Sequence, residues 1–242
     1  MHDDARREEL AAALARLRQR IAAAATAAGR DPAGVLLVAV TKTFPATDAA
    51  FLTDLGVTDF GENRDQEARP KVQQLRLMRP DAAVRWHMVG RLQRNKARSV
   101  AGWAGIVQSV ESVRLADALH TTVAAALDDG RREEPLDVLV QVSLDDNPGR
   151  GGCPVPQLPA LAEHVASLAA LRLRGVMAVA PLGEDPEVAF ARLESAAAAL
   201  REQHPQATEL SAGMTGDLEA AIRHGSTCVR VGTALLGQRP LA

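Results

Sequence analysis

Short apolar runs alternate with amphipathic stretches along nearly the whole chain. Eight runs read as strands: Val35–Thr41, Val57–Gly61, Arg85–Val89, Ile106–Val110, Asp137–Ser143, Leu173–Ala178, Glu209–Ser211 and Cys228–Val231. Helix-like segments lie between them. Thr47 reads as the N-cap of a helix ending at Gly56, and Thr215, with Asp217 and Glu219 behind it, starts another that ends at Gly225. Pro70 is expected to disrupt the second helix unless that helix restarts there. A helix over about 4–28, striped by Leu10, Leu14, Leu17 and Ile21, precedes the first strand and stands outside the repeat. Strands alternating with helices imply parallel pairing. Eight such units in 242 residues predict a single closed (β/α)8 barrel of the TIM type with an extra N-terminal helix. A doubly wound open sheet fits less well, because no GxGxxG follows the first strand. No boundary divides residues 1–242, which read as one domain.

Composition narrows the class. The chain is 47% hydrophobic and 24% charged, with a formal net charge of −2 and a pI near 6.3, so an electrostatic nucleic-acid binder is not expected. Cys153 and Cys228 lie far apart without metal or CxxC spacing and read as reduced thiols of a cytoplasmic protein. The N-terminus lacks a signal-peptide core, and no apolar run approaches the ~20 residues that span a bilayer. The motif Asp145-Asp146-Asn147 reads as a solvated turn, not a metal loop, and no metal site is expected.

One scarcity points to chemistry. Of 28 basic residues only Lys42, Lys71 and Lys96 are lysine. Lys71 and Lys96 sit in polar stretches and read as solvated. Lys42 follows an apolar strand and precedes Thr43-Phe44-Pro45, where a strand must stop. An amine there can form a Schiff base, which a guanidinium cannot; the alternative is a lysine snorkelling out of a strand end. In a barrel, function gathers at the C-terminal strand ends, and the unusual residues fall there: Lys42, Gly61-Glu62-Asn63, His87 to Gly90, Ser211-Ala-Gly213 and Arg230-Val-Gly-Thr233. By parity Lys42 shares a face with Leu36, Val38 and Val40, and Arg230 with Cys228 and Gly232. Closure would set these two faces side by side. Ser211, Gly232 and Thr233 offer hydroxyls and unhindered N–H groups where barrels commonly bind phosphate. The set suits a phosphorylated aldehyde or ketone, either pyridoxal 5′-phosphate or a sugar phosphate. An Arg facing a pyridine nitrogen would keep that nitrogen unprotonated; Arg230 could equally be a salt bridge across the mouth. Asn63 could bond a ring substituent or cap the next helix. His87 reads as a satisfied core histidine.

At these residues the chain resembles a known family. AVTKTFP (39–45), FGENRDQE (60–67), WHMVGRLQRNKAR (86–98), VQSVES (107–112), RGVMAVAP (174–181) and LSAGMTGDLEAAIRHGSTCVRVGTALLG (210–237) resemble the pyridoxal phosphate homeostasis proteins, single-domain relatives of the barrel half of alanine racemase. The resemblance implies a pyridoxal phosphate aldimine on Lys42 and phosphate contacts from Ser211, Gly232 and Thr233. It also implies Arg230 near the pyridine nitrogen, with Asn63 and Met214 beside the cofactor. It further implies a protein that holds, buffers and delivers the cofactor, with apo-enzymes as recipients and effects on amino-acid and keto-acid metabolism. Arg64, Arg91, Arg94 and Gln108 depart from the family pattern and are expected only at the rim of the pocket.

The main alternative is an amino-acid racemase of the same fold. That reaction needs a base on each face of the bound cofactor, and in alanine racemases a tyrosine from a second domain supplies one. This chain has no tyrosine, and no second domain is expected after the barrel. A class I aldolase acting through Lys42 would explain neither Arg230 nor the family motifs. The expectation is therefore a cytoplasmic, monomeric cofactor carrier without robust turnover, binding neither nucleic acid nor membrane.

Overall fold

The structure, a computed structural model, describes residues 2–145 and 151–238. Nine parallel strands form one sheet: β1 (Leu36–Val40), β2 (Asp59–Glu62), β3 (Arg85–Met88), β4 (Ile106–Val110), β5 (Leu136–Ser143), β6 (Cys153–Pro154), β7 (Leu171–Met177), β8 (Glu209–Ser211) and β9 (Cys228–Val231). Their order is β4-β3-β2-β1-β9-β8-β7-β5, and β4 also pairs with β5, so eight strands close into a ring while the two-residue β6 flanks β5. The helices are α1 (His2–Ala27), α2 (Ala46–Asp54), α3 (Asp65–Met78), α4 (Ala97–Ala101), α5 (Val113–Asp128), α6 (Leu158–Ser167), α7 (Pro186–Gln203), α8 (Leu218–Arg223) and α9 (Thr233–Leu236). The (β/α)8 barrel with its extra helix is as the sequence predicts. The strands are legible because both faces are buried: one meets the helices, the other the barrel interior.

The two faces separate cleanly. Ala39, Phe60, Trp86, Val107 and Val138 join the helices in one apolar cluster. Ile106, Leu139 and Met177 form a second cluster. A Cβ on Gly61 would meet Val38, Val40 and Val89, which therefore share the interior. Ion pairs fill the N-terminal end, where Arg85 on β3 reaches Asp137 on β5 and Arg174 on β7 bonds Glu209 on β8 at 3.1 Å. At Gly175 the chains crowd: φ is +150°, and a Cβ would lie 1.8 Å from Glu209 O, so only glycine fits.

Helix α1 buries its whole leucine stripe, Leu10, Leu14, Leu17 and Ile21. Each such side chain contributes about 1.5–3 kcal/mol when fully buried. Arginines on α1 and just beyond it tie this segment to the barrel: Arg6 to Asp48 and to Leu236 O, Arg20 to Glu219 and Thr215 O, and Arg30, after the helix, to Ile222 O.

Three local expectations need correction. Helix α3 runs straight through Pro70. Proline removes only the hydrogen bond to Gln66 O, and Gln66 is exposed, so water can serve that carbonyl. The N-cap of α2 is Pro45, with Thr47 inside the first turn. Helix α8 begins at Leu218 with Asp217 as N-cap, while Thr215 sits in the turn before it. In the motif 145–147, Asp146 and Asn147 lie outside the described residues. Among the described residues no cluster of His, Cys, Asp or Glu could hold a metal, and no helix is long and apolar enough to cross a membrane.

Candidate functional site at the barrel mouth

Strand β1 pairs with β9 with Val38 opposite Arg230, so ring closure brings the two ends of the sequence together. Arg230 is 5% exposed and points its guanidinium into the barrel. Nη1 donates to Ser211 Oγ at 2.6 Å and Nη2 to Ala178 O at 2.8 Å. Among the described residues no carboxylate lies within ion-pair reach, so the salt bridge weighed for Arg230 is not formed. Burial pulls its pKa down, against weaker support from Cys228 and Asp217. A buried cation with two neutral acceptors and no counter-ion is costly. Guanidinium carries five N–H donors, so it can still bond an acceptor brought to the mouth.

Below Arg230 a polar chain crosses the interior. Ser211 Oγ donates to Gln108 Oε1 at 2.7 Å, Gln108 Nε2 meets His87 Nδ1 at 2.8 Å, and His87 Nε2 meets Asp59 Oδ1 at 2.9 Å. The Gln108 amide can only donate, so Nδ1 accepts and the His87 proton sits on Nε2, facing Asp59. Burial, opposed by Asp59, holds His87 below its ordinary pKa. For Asp59, burial alone would raise the pKa, but bonds from His87 and Thr58 carry it below the carboxylate norm. His87 is thus a satisfied core histidine, as read from sequence. Gln108, expected at the rim, is instead the buried centre of this chain, 1% exposed.

Lys42 follows β1 in a four-residue turn closed by Phe44 N–H to Thr41 O at 3.0 Å. It is half-buried, and among the described residues it has no ion pair or hydrogen bond. Thr43 takes φ 68° and is the sole non-glycine residue with positive φ among the described residues. A β-branched residue there costs on the order of 1–3 kcal/mol, and such strain gathers at functional sites. Thr41 and Glu62 turn outwards and meet Lys71 of α3 behind the wall. Lys71 is 6% exposed, so its expected solvated position is corrected.

The other expected residues rim the same end. Asn63 follows β2, half-buried; the N-cap of α3 is Arg64, so Asn63 does not cap that helix. Its backbone runs against Gly90, where a Cβ would lie 2.3 Å from Asn63 O; a side chain at 90 would push that segment away. Gly232 follows β9 as the N-cap of α9, and Thr233 is the first residue of that helix and exposed. Thr215 Oγ1 accepts from Ala234 N–H at 3.3 Å, a neighbour of this pair that the sequence reading used only as a helix start. Met214, 38% exposed, stands beside them, its N–H bonded to Asp217. Ser211 does not face this cluster: it is fully buried, with its hydroxyl spent on Gln108 and Arg230. Arg64 and Arg91 are exposed and paired with Glu67 and Glu111, and with Asn63, Arg94 and Lys96 they line a cleft of about 820 Å³ beside the mouth.

Comparison with known proteins shows what the whole chain is similar to. Residues 12–240 match the family described as alanine racemase, N-terminal domain. The chain is 49% identical to the pyridoxal phosphate homeostasis protein of Mycobacterium tuberculosis H37Rv, covering 98% of this chain and 95% of that one. PipY of Synechococcus elongatus PCC7942, solved with PLP bound, is 32% identical with a TM-score of 0.78, over 94% of this chain and all of that one. Alanine racemase of Corynebacterium glutamicum, 15% identical with a TM-score of 0.65, shares the fold over 95% of this chain and 60% of its own.

Proposed function

Because this chain belongs to the pyridoxal phosphate homeostasis protein family, we propose that its mouth holds pyridoxal 5′-phosphate through Lys42 and that it buffers and delivers this cofactor. One observation carries the reading. Lys42, in the turn just beyond β1 and with no hydrogen bond or ion pair among the described residues, stands at the end of a ring whose neighbouring strand, β9, presents a buried guanidinium with no counter-ion among those residues. That pair suits a ligand with an aldehyde to bind the amine and a ring nitrogen to accept from Arg230. When bound, the aldehyde carbon condenses with an amine and releases water, so the group can be held by Lys42 and passed to another amine.

The chain's own residues divide the remaining work. Thr233, the Gly232 backbone and Thr215 hold the phosphate. Ser211, expected among the phosphate contacts, braces Arg230 instead, because its hydroxyl already bonds that guanidinium. Arg230, permanently cationic, keeps a facing ring nitrogen unprotonated and so weakens electron withdrawal through the ring. Asn63 and Met214 flank the ring.

The racemase reading fails for want of a second base. The sequence has no tyrosine. Both His87 nitrogens are engaged inside the barrel, and burial raises the thiol pKa of Cys228 and of Cys153. We assign residues 1–242 to one cofactor-binding unit, monomeric and cytoplasmic, with apo-enzymes that use pyridoxal phosphate as recipients. The test is chemical. Purified protein loaded with pyridoxal phosphate should show a visible band, and borohydride followed by peptide mapping should place the label on Lys42. Lys42→Arg should lose the band, and label on Lys71 or Lys96 would overturn the assignment. Steady racemisation in the enzymatic range of ~1–10³ s⁻¹ would overturn the carrier role.

A further inference from the structure

The Lys42 amine is presented by a turn, and that turn is gripped from outside the barrel. Thr41 O, the carbonyl immediately before Lys42, accepts twice: from Phe44 N–H across the turn at 3.0 Å and from Lys71 Nζ at 2.6 Å. Lys71 Nζ also bonds Glu62 Oε1 at 2.5 Å, and the same oxygen accepts from Thr41 Oγ1 at 2.6 Å. Lys71 and Glu62 are 6% and 0% exposed. Thr43 N–H meets Glu67 Oε2, also on α3, at 3.3 Å. Both flanks of Lys42 are therefore anchored to one helix, while Thr43 is held in the left-handed region.

Stability does not account for such a pair. A buried ion pair can usually be exchanged for apolar side chains of similar volume without loss. Chain composition sharpens the point: 25 of the 28 basic residues are arginine, yet the residue gripping Thr41 is one of three lysines. A compact ammonium can bond a carbonyl and a carboxylate in a space too small for a planar guanidinium.

We infer that Glu62 and Lys71 are positioning residues for Lys42, fixing the turn so that the amine meets an aldehyde in the mouth; this rests on the function proposed for Lys42. The pair touches no ligand and acts only through Thr41.

Lys71→Met alone would strand the Glu62 carboxylate, so the informative protein is Glu62→Gln/Lys71→Met, which removes both charges and leaves an acceptor for Thr41 Oγ1. In the apo form, hydrogen exchange at Phe44 N–H should rise about tenfold or more, matching loss of one charge-assisted hydrogen bond. Exchange in β5 and β7 should stay unchanged. Growth of the visible band with pyridoxal phosphate should slow at least about tenfold, since small misplacement of a reacting group is expensive. Affinity for pyridoxine 5′-phosphate, which has no aldehyde, should stay within about twofold. Unchanged Phe44 exchange would overturn the inference. Faster exchange with an unchanged capture rate would overturn it too, as would equal losses for both ligands. If the wild-type protein itself captures no pyridoxal phosphate, the functional reading fails, visibly apart from a failure of the clamp.

Discussion

Arg230 gives the sharpest separation of fold from function. Its replacement by Met removes a buried cation with two neutral acceptors and, among the described residues, no carboxylate partner. Two effects oppose each other in the apo protein. Ala178 O is left without its donor, a loss of about 1–3 kcal/mol, while Ser211 keeps its bond to Gln108. Against this, a charge whose desolvation costs several kcal/mol is gone. The terms nearly cancel, so apo stability by urea titration should move by less than about 2 kcal/mol in either direction. Cofactor binding should not be spared. Losing a charge-assisted bond to the ligand lowers affinity by about ten- to a hundredfold, read by titration of the visible band. The band itself should shift as the ring nitrogen gains freedom to protonate. A variant that loses several kcal/mol of stability yet binds pyridoxal phosphate normally would refute this reasoning and make Arg230 an ordinary structural residue.

Two further outcomes follow from other parts of the site. Thr233→Ala and Thr215→Val should each weaken pyridoxal phosphate about ten- to a hundredfold relative to pyridoxal, and equal losses for both ligands would remove these residues from the phosphate site. Gly232 is a poorer probe, because a Cβ there would press on Val40 O at 3.1 Å and disturb β1 itself. His87 is held below its ordinary value of 6.5, so the unfolded chain takes up that proton first. Stability from this group is complete above about pH 6.5 and is lost as pH falls below it, at up to about 1.4 kcal/mol per pH unit. Denaturation at pH 7 and pH 5.5 should show that slope in the wild type and not in His87→Gln; equal slopes would contradict it.

Much of this was legible in the chain. Strand positions follow from runs apolar on both faces, and ring closure makes β1, which leads to Lys42, the neighbour of β9, which carries Arg230. Pairings inside the barrel were not legible. That Gln108 meets both His87 and Ser211 depends on the relative register of β3, β4 and β8, which no local pattern encodes. Lys71 is a different kind of miss, since its signal was present. Ala68, Lys71, Val72 and Leu75 are the buried positions of α3, at spacings of three, four and seven. A lysine on that stripe belongs inside, but the polarity of the surrounding residues hid it. Ser211 was misplaced because a hydroxyl at a strand end looks alike whether it faces the mouth or the interior.

The seam between β1 and β9 has a consequence for how loading relates to folding. Lys42 lies in the first fifth of the sequence and Arg230 near its end, so a chain lacking either β1 or β9 lacks one side of the proposed site. Contacts of such long range form late and slowly. Ligand bound across the seam adds RT ln(1 + [L]/Kd) to the closed ring and nothing to an open one. On the binding proposed here the cofactor would act as a clasp, and abundant pyridoxal phosphate would protect the protein. On the same binding, an empty ring would lose that share of its stability, and its lifetime in a proteolytic environment would shorten with supply.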